Sequence, residues 1–387
     1  MDFQNSLIAS RNRDITSFIV MEILEKAHRL EREGRSIIHL EIGEPDFDTP
    51  EPIKEAGIKA IKEGKTHYTP SPGIPELREK IAEFYNFYYG IDISPERIFI
   101  TNGTSGAFIL IMAAIMDIGD EIIFTDPGYP CYPNFARAFD ARPVFVPVYE
   151  EENFEISIEE VERRKSDRTK ALLIASPANP TGTLTGPDTI RRAIGLTPFF
   201  ISDEIYHGLV YEGREHSALE FSDDVIVING FSKLFAMTGW RLGWMIVPER
   251  LIKTVHKLAQ NLFICPNSVA QYAALYAFNE GWSYVENMKR EYDRRRKVMV
   301  EGLRKLGFGI RSTPAGAFYV FANISKFSGD SFKFAHEILD RAGVAVTPGV
   351  DFGSNRTNHY IRFSYANSLE NIEEALERIK KFLEERK

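Results

Sequence analysis

The chain has 387 residues, a length that points to two domains rather than one core. It is 44% hydrophobic and 26% charged with a formal net charge of −8, which speaks against a nucleic-acid partner, since that usually calls for a basic face. The two cysteines, Cys131 and Cys265, make neither a disulfide framework nor a CxxC metal pair. The longest apolar run, Ala107 to Met116, is far short of a membrane span, so a cytoplasmic globular protein is expected.

In chain order, a first helix is expected from Phe18 to Glu33. The segment Pro75–Tyr89 sets Leu77, Ile81, Phe84 and Tyr88 on one stripe and meets Gly90 as a stop. Seven strand-like runs follow: Arg97–Thr101, Glu121–Thr125, Pro143–Val148, Lys170–Ala175, Pro198–Ser202, Asp224–Asn229 and Gly243–Val247. Several are continuous β-branched and aromatic runs, as strands covered on both faces require. Helical patterns lie between many of them, which predicts an α/β fold with a mostly parallel seven-stranded sheet flanked by helices. The pattern changes near Gly281. A charged helix from Gly281 to Leu306 leads to the strand Ala317–Ala322 and a helix from Ser331 to Arg341. The strands Ala345–Thr347 and His359–Ser364 and a last helix to Lys387 complete a smaller α+β unit. The expected division is an N-terminal arm and helix over 1–45 packing with the small domain, a large domain over 46–285, and the small domain over 286–387.

Four segments carry chemistry. In the run Asn229 to Trp244, a buried strand leads into a loop presenting Lys233. A partly desolvated lysine loses basicity and becomes a nucleophile suited to imine formation. Arg241, eight residues on, has a guanidinium suited to a phosphate dianion. In Phe199–Tyr206, Asp203 ends an apolar strand, where α/β proteins place ligand groups, and its carboxylate suits a protonated pyridine nitrogen. Tyr206, three residues later, suits a phenolate oxygen. In Ser176–Gly182, Asn179 is held between rigid turn residues that aim its amide. In Thr101–Ala107, a strand opens into a helix whose first N–H groups and hydroxyls form a phosphate cradle; no Gly-Lys-Ser/Thr follows, so this is no Walker loop. Each residue also has a plain reading. Lys233 fits a solvated surface, Asp203 a helix N-cap, Tyr206 a core position, Asn179 an Asn-Pro turn, and Arg241 a structural arginine.

These segments, in this order, resemble the fold type I, class I/II aminotransferases, and the resemblance covers nearly the whole chain. It extends to Gly43–Phe47, Tyr68–Gly73, Asp126–Tyr129, Gly316–Phe318, Pro348–Gly349 and Tyr360–Phe363. It implies the aspartate-aminotransferase-like fold, pyridoxal 5′-phosphate as cofactor and a homodimer. By that resemblance Lys233 carries the cofactor and moves the proton between its C4′ and the substrate Cα. Asp203 would pair with the pyridine nitrogen, and Asn179 and Tyr206 with the phenolate oxygen. Gly103, Thr104, Ser105, Ser232 and Arg241 would bind the phosphate, and Tyr129 would stack on the ring. Arg362 would clamp the substrate carboxylate with Asn179 and the backbone near Gly43. Tyr68 would reach the cofactor phosphate of a neighbouring subunit. No metal is expected at this site.

Arg362 stands between Ile361 and Phe363, where a lone charge is costly, although an outward-pointing arginine on an edge strand fits the same pattern. Two departures from the family stand out. The stretch around Ala193–Pro198 is short, and Asn102–Ser105 lacks the lysine that meets the distal carboxylate in some aspartate-using relatives. The same residues permit β-elimination, as in a C–S lyase, or decarboxylation; the motif order favours amino transfer from an L-amino acid to a 2-oxo acid, with 2-oxoglutarate the expected acceptor. A cofactor-sensing regulator would need a DNA-reading module, for which the stretch before Gly43 leaves no room. Phe3, Phe18 and the Asn261–Asn267 loop fit either an aromatic substrate pocket or dimer packing, so aspartate, alanine, aromatic and broad donors stay open.

Overall fold

The computed structural model describes residues 8–386; Phe3 lies outside them. The strands, in chain order, are β1 (Ile38–His39), β2 (Ile98–Thr101), β3 (Glu121–Asp126), β4 (Arg142–Pro147), β5 (Thr169–Ala175), β6 (Phe199–Asp203), β7 (Ile226–Gly230), β8 (Gly243–Ile246), β9 (Tyr319–Asn323), β10 (Val344–Ala345), β11 (Thr347–Pro348) and β12 (Tyr360–Ser364).

Seven of them form one sheet in the order β2-β8-β7-β6-β5-β3-β4. Every pair is parallel except those of β8, which runs against both β2 and β7. That reversal positions the site. The ends of β2, β5, β6 and β7 all lie at one edge of the sheet. Because β8 runs the other way, its start joins them there: Gly243 pairs with Thr101 on one side and Gly230 on the other. Ligands of open α/β sheets bind at such carboxyl-end edges.

The strands β2, β6, β7 and β8 are buried along nearly their whole length because helices cover both faces, whereas β4 at the far edge is only partly covered. The helix Gly103–Ile115 is apolar nearly all round and packs between the sheet and the helix Glu249–Leu262, which buries most of it. In Pro75–Tyr89 the anticipated stripe is buried at Leu77, Ile81 and Phe84 and half-buried at Tyr88.

The later strands build a three-stranded antiparallel sheet, β11-β12-β9, covered by the helices Trp282–Leu306 and Ser331–Ala342, with Leu369–Glu384 packed on those two helices and on β10. The expected strand Ala345–Thr347 is instead two. Val346 breaks it, so that β10 pairs with β1 in parallel while β11 pairs with β12. The strand expected from Ala317 begins at Tyr319, because Ala317 sits in the left-handed region at φ 59° and cannot join a ladder. The first helix, Ile19–Arg32, packs Ile23, Ala27 and Leu30 against Leu339 and Ala345 of this unit. Arg295 of the long helix reaches back to Asp46 at 2.8 Å, and Arg296, fully buried, pairs with Glu212 at 2.7 Å. Among the described residues no helix is long and apolar enough to cross a membrane.

Candidate active site

A cavity of about 470 Å³ opens at the edge where β2, β5, β6 and β7 end. The strand β7 runs into the short helix Phe231–Leu234, which carries Lys233 into it. The Lys233 Nζ donates to the Gly43 carbonyl oxygen at 2.7 Å. Burial lowers its pKa from 10.5 to about 8, against the pull of Glu44 and with help from Arg241 and Arg362. An amine poised there is a nucleophile near neutral pH.

Asp203, last residue of β6, is 4% exposed and faces the same cavity. Its Oδ2 accepts from the Tyr132 hydroxyl at 2.6 Å and its Oδ1 from the Ile205 N–H at 3.1 Å. Burial raises its pKa to about 6, while those hydrogen bonds and Lys233 hold it down. The N-cap-like contact to Ile205 therefore exists, and it serves to aim the carboxylate. A buried carboxylate in this state lacks a cationic partner, which a protonated ring nitrogen supplies.

At the opposite end the cavity is built for an anion. Thr104 and Ser105 open the helix Gly103–Ile115, where unpaired N–H groups and the helix dipole favour negative charge, and Ser232 and Arg241 face them. Two glycines leave room at this end. A Cβ on Gly103, at φ +67°, would meet the Arg241 guanidinium at 2.5 Å, and one on Gly243 would meet Gly103 and Thr104 at 3.0 Å. Arg241 itself holds φ 54°, an uncommon conformation for a non-glycine residue. Its Nη1 donates to the Thr238 carbonyl at 3.0 Å.

The third charged group is Arg362 on β12. This is the central strand of its sheet, and Arg362 is 3% exposed, so the outward edge-strand reading does not hold. Its Nη1 donates to Asn179 Oδ1 at 2.9 Å, and its Nη2 donates to the Glu41 carbonyl and, at 3.2 Å, to Thr347 Oγ1. The guanidinium lies over the Tyr319 and Phe352 rings, 4.4 and 4.9 Å from their centroids. A guanidinium has five N–H donors. Three are taken here, and Nε is buried with no partner, which leaves donors for a carboxylate. Tyr206 is buried with its hydroxyl 2.8 Å from that of Tyr319. Burial pushes its pKa well above 10, so the phenol stays protonated.

Thus Gly43, Thr104, Ser105, Tyr129, Asn179, Asp203, Tyr206, Ser232, Lys233, Arg241 and Arg362 all line one cavity. Gly103 lies just behind Arg241. Tyr68 does not join them: it is 81% exposed. Sequence reasoning missed Tyr132, Tyr319, Glu41 and the wall formed by Val20, Met21 and Leu24. Tyr132, Tyr319 and Glu41 act across 71, 113 and 321 residues of chain, and no local pattern marks them.

The set of groups fits a flat phosphorylated pyridine: a lysine amine, a buried carboxylate, a tyrosine-lined wall and an anion cradle share one cavity. The aminotransferase class I and II family matches residues 35–379. The (5-formylfuran-3-yl)methyl phosphate transaminase of Methanocaldococcus jannaschii is 48% identical over 97% of this chain and 100% of its own. The aspartate aminotransferase of Pyrococcus horikoshii is 40% identical over 97% of each chain. A solved Methanococcus jannaschii protein, with an active site similar to those of kynurenine aminotransferases, superposes with a TM-score of 0.91 at 48% identity, covering 97% of this chain and 100% of that one. On the strength of that match along nearly its whole length, the chain belongs to the aminotransferase class I and II family and is a pyridoxal 5′-phosphate-dependent aminotransferase.

Proposed function

We propose that the enzyme moves the amino group of an L-amino acid with an apolar, ring-bearing or otherwise extended side chain to a 2-oxo acid, with 2-oxoglutarate as acceptor, in a two-stage cycle. The observation that carries the reading is the composition of the cavity. Its cations in this chain are Lys233, Arg241 and Arg362. In our reading one holds the cofactor, one its phosphate and one the substrate α-carboxylate. Among the described residues the cavity then has no further cation for a distal carboxylate; Phe18, Val20, Met21, Leu24 and Ile42 make an apolar stretch of its wall, and the other charged group there, Glu44, is an anion that would repel one.

When bound, the cofactor supplies an aldehyde and an electron sink. The protein does the rest. Arg362, fixed by Asn179 and the Glu41 carbonyl, orients the amino acid so that its Cα–H faces Lys233. The neutral Lys233 amine takes that proton and returns it on the other side of the exchange. Asp203 would keep the cofactor's ring nitrogen protonated, and Tyr206 with Asn179 would donate to its phenolate oxygen. Tyr132 holds the Asp203 carboxylate at 2.6 Å. Tyr129 would stack on the cofactor, and Gly103, Thr104, Ser105, Ser232 and Arg241 would hold its phosphate.

We assign the cofactor side to residues 46–285 and the carboxylate clamp to 286–387, with 1–45 packed on the latter; the boundary lies in the first turn of the helix Trp282–Leu306. We further assign the enzyme to the cytoplasm as a homodimer.

The test is a product balance with purified enzyme, phenylalanine or aspartate as donor and 2-oxoglutarate as acceptor. Glutamate and the matching oxo acid should appear one for one, with kcat/KM at least about tenfold higher for phenylalanine. A preference for aspartate overturns the substrate class and leaves amino transfer standing. Release of ammonia without glutamate overturns transfer in favour of elimination.

A further inference from the structure

Outside the cavity, one cluster among the described residues has the composition of a transition-metal site. His28 and Glu31, three residues apart, share a face of the helix Ile19–Arg32. His39 of β1 faces them, and the three bring ligand atoms that all lie within 4.8 Å of one another. His39 Nε2 is 3.2 Å from Glu31 Oε1, and the two imidazole rings are 5.5 Å apart.

A second observation lies behind His39. Its Nδ1 faces Glu41 Oε1 at 2.8 Å; Glu41 is completely buried, and its Oε2 has no partner. A buried carboxylate on the inner nitrogen fixes the ring orientation and leaves Nε2 as the outward nitrogen. Metal-ligating histidines are supported in the same way. Two carboxylates beside two imidazoles also give the spot a negative balance that suits a cation.

We propose that His28, Glu31 and His39 bind a zinc-class divalent ion, with water completing the coordination. Two imidazoles and one carboxylate suit zinc, cobalt, nickel or copper better than calcium or magnesium, which prefer oxygen ligands alone. A tetrahedral zinc site needs donors about 3.3 Å apart. His28 and Glu31 are exposed and free to close that distance by rotation. The ion takes the place of the His39 Nε2 proton, which leaves to solvent.

Its position gives it a consequence. The helix that carries His28 and Glu31 also carries Val20, Met21 and Leu24 into the cavity wall. Past His39, which ends β1, the chain runs on to Glu41 and Gly43, whose carbonyls accept from Arg362 and Lys233. A bound ion therefore ties one wall of the cavity to the segment that holds two of its charged groups.

The test uses the chelator-treated, dialysed holoenzyme titrated with zinc chloride by calorimetry. One ion should bind per chain with a Kd of about 10 μM or tighter, and both His28→Ala and Glu31→Gln should weaken it at least about tenfold. Circular dichroism and cofactor content should be unchanged in both variants, since both side chains are exposed. Zinc-edge anomalous diffraction should place the ion between the three side chains. No saturable binding below about 100 μM, binding by either variant as tight as the parent's, or an anomalous peak elsewhere each overturns the proposal.

Discussion

Lys233 and Asp203 are tuned in opposite senses by the same cause. Burial disfavours charge, so it lowers the lysine to about 8 and raises the aspartic acid to about 6. The neutral amine is the reactive form, and its share grows as pH rises through about 8 and falls roughly tenfold per pH unit below that. Competitive acylation of the cofactor-free protein, read by mass spectrometry, should show Lys233 half-reactive near pH 8. An ordinary exposed lysine, with a pKa of about 10.4, should lag by about two pH units. A Lys233 curve coincident with those of exposed lysines would falsify the tuning. Asp203→Ala should keep cofactor, because the phosphate cradle and Lys233 remain, yet lose about a hundredfold or more in kcat, because the ring nitrogen loses its counter-charge. Turnover within about threefold of the parent would remove Asp203 from the mechanism. These two residues were legible in the sequence because each follows a continuous apolar strand. Tyr132 was not: it sits in the helix Cys131–Ala138, and only the order of the sheet brings its hydroxyl to Asp203.

At the scale of elements, the helix Ile19–Arg32 has no side chain of its own to cap it; Phe18 precedes it. The cap comes from the other end of the chain. Asp351 accepts from the Ile19 N–H at 2.8 Å and the Val20 N–H at 3.3 Å. Burial raises its pKa to about 6, with both N–H groups and Arg362 acting the other way. Its ionised form is thus disfavoured on balance, and what the helix needs is an acceptor rather than a charge. Asp351→Ala should orphan two N–H groups and cost about 1–2 kcal/mol in docking this helix. Hydrogen exchange should then quicken at the amides of the first turn, and KM should rise more than kcat falls, since this helix lines the cavity. Asp351→Asn keeps one of the two acceptor oxygens and should cost less than Asp351→Ala; equal damage from both substitutions would show that the helix needs the whole carboxylate rather than a single acceptor. The sequence showed this helix and its extent to within a residue. It could not show Asp351 as its cap, because 332 residues separate it from Ile19. The same limit explains β8. Its apolar run was evident, but nothing local to four residues tells an antiparallel strand from a parallel one.

For the whole molecule, the question is whether one chain makes a complete site. Tyr68 is 81% exposed and stands apart from its own chain's cavity. Near it, the loop at Ser71 and His67 is tied to the segment Ile264–Ser268 by two hydrogen bonds, and Leu262 and Ile264 are each about half exposed. Apolar side chains left open around an unused tyrosine are what a symmetric partner would cover. If Tyr68 serves the neighbour's site, two separately dead chains should rescue each other. A Lys233→Ala chain lacks the amine but still donates its Tyr68; a Tyr68→Ala chain keeps the amine but donates nothing. Mixed dimers then hold one whole site and one doubly broken site. Half of a randomly mixed population is mixed dimer, and half of its sites are whole, so about a quarter of parental activity should return after joint refolding. Were Tyr68 to act within its own chain, every site in the mixture would carry one defect and no activity would return. The order of the defects decides the outcome, so loss of folding in either variant cannot imitate the rescue.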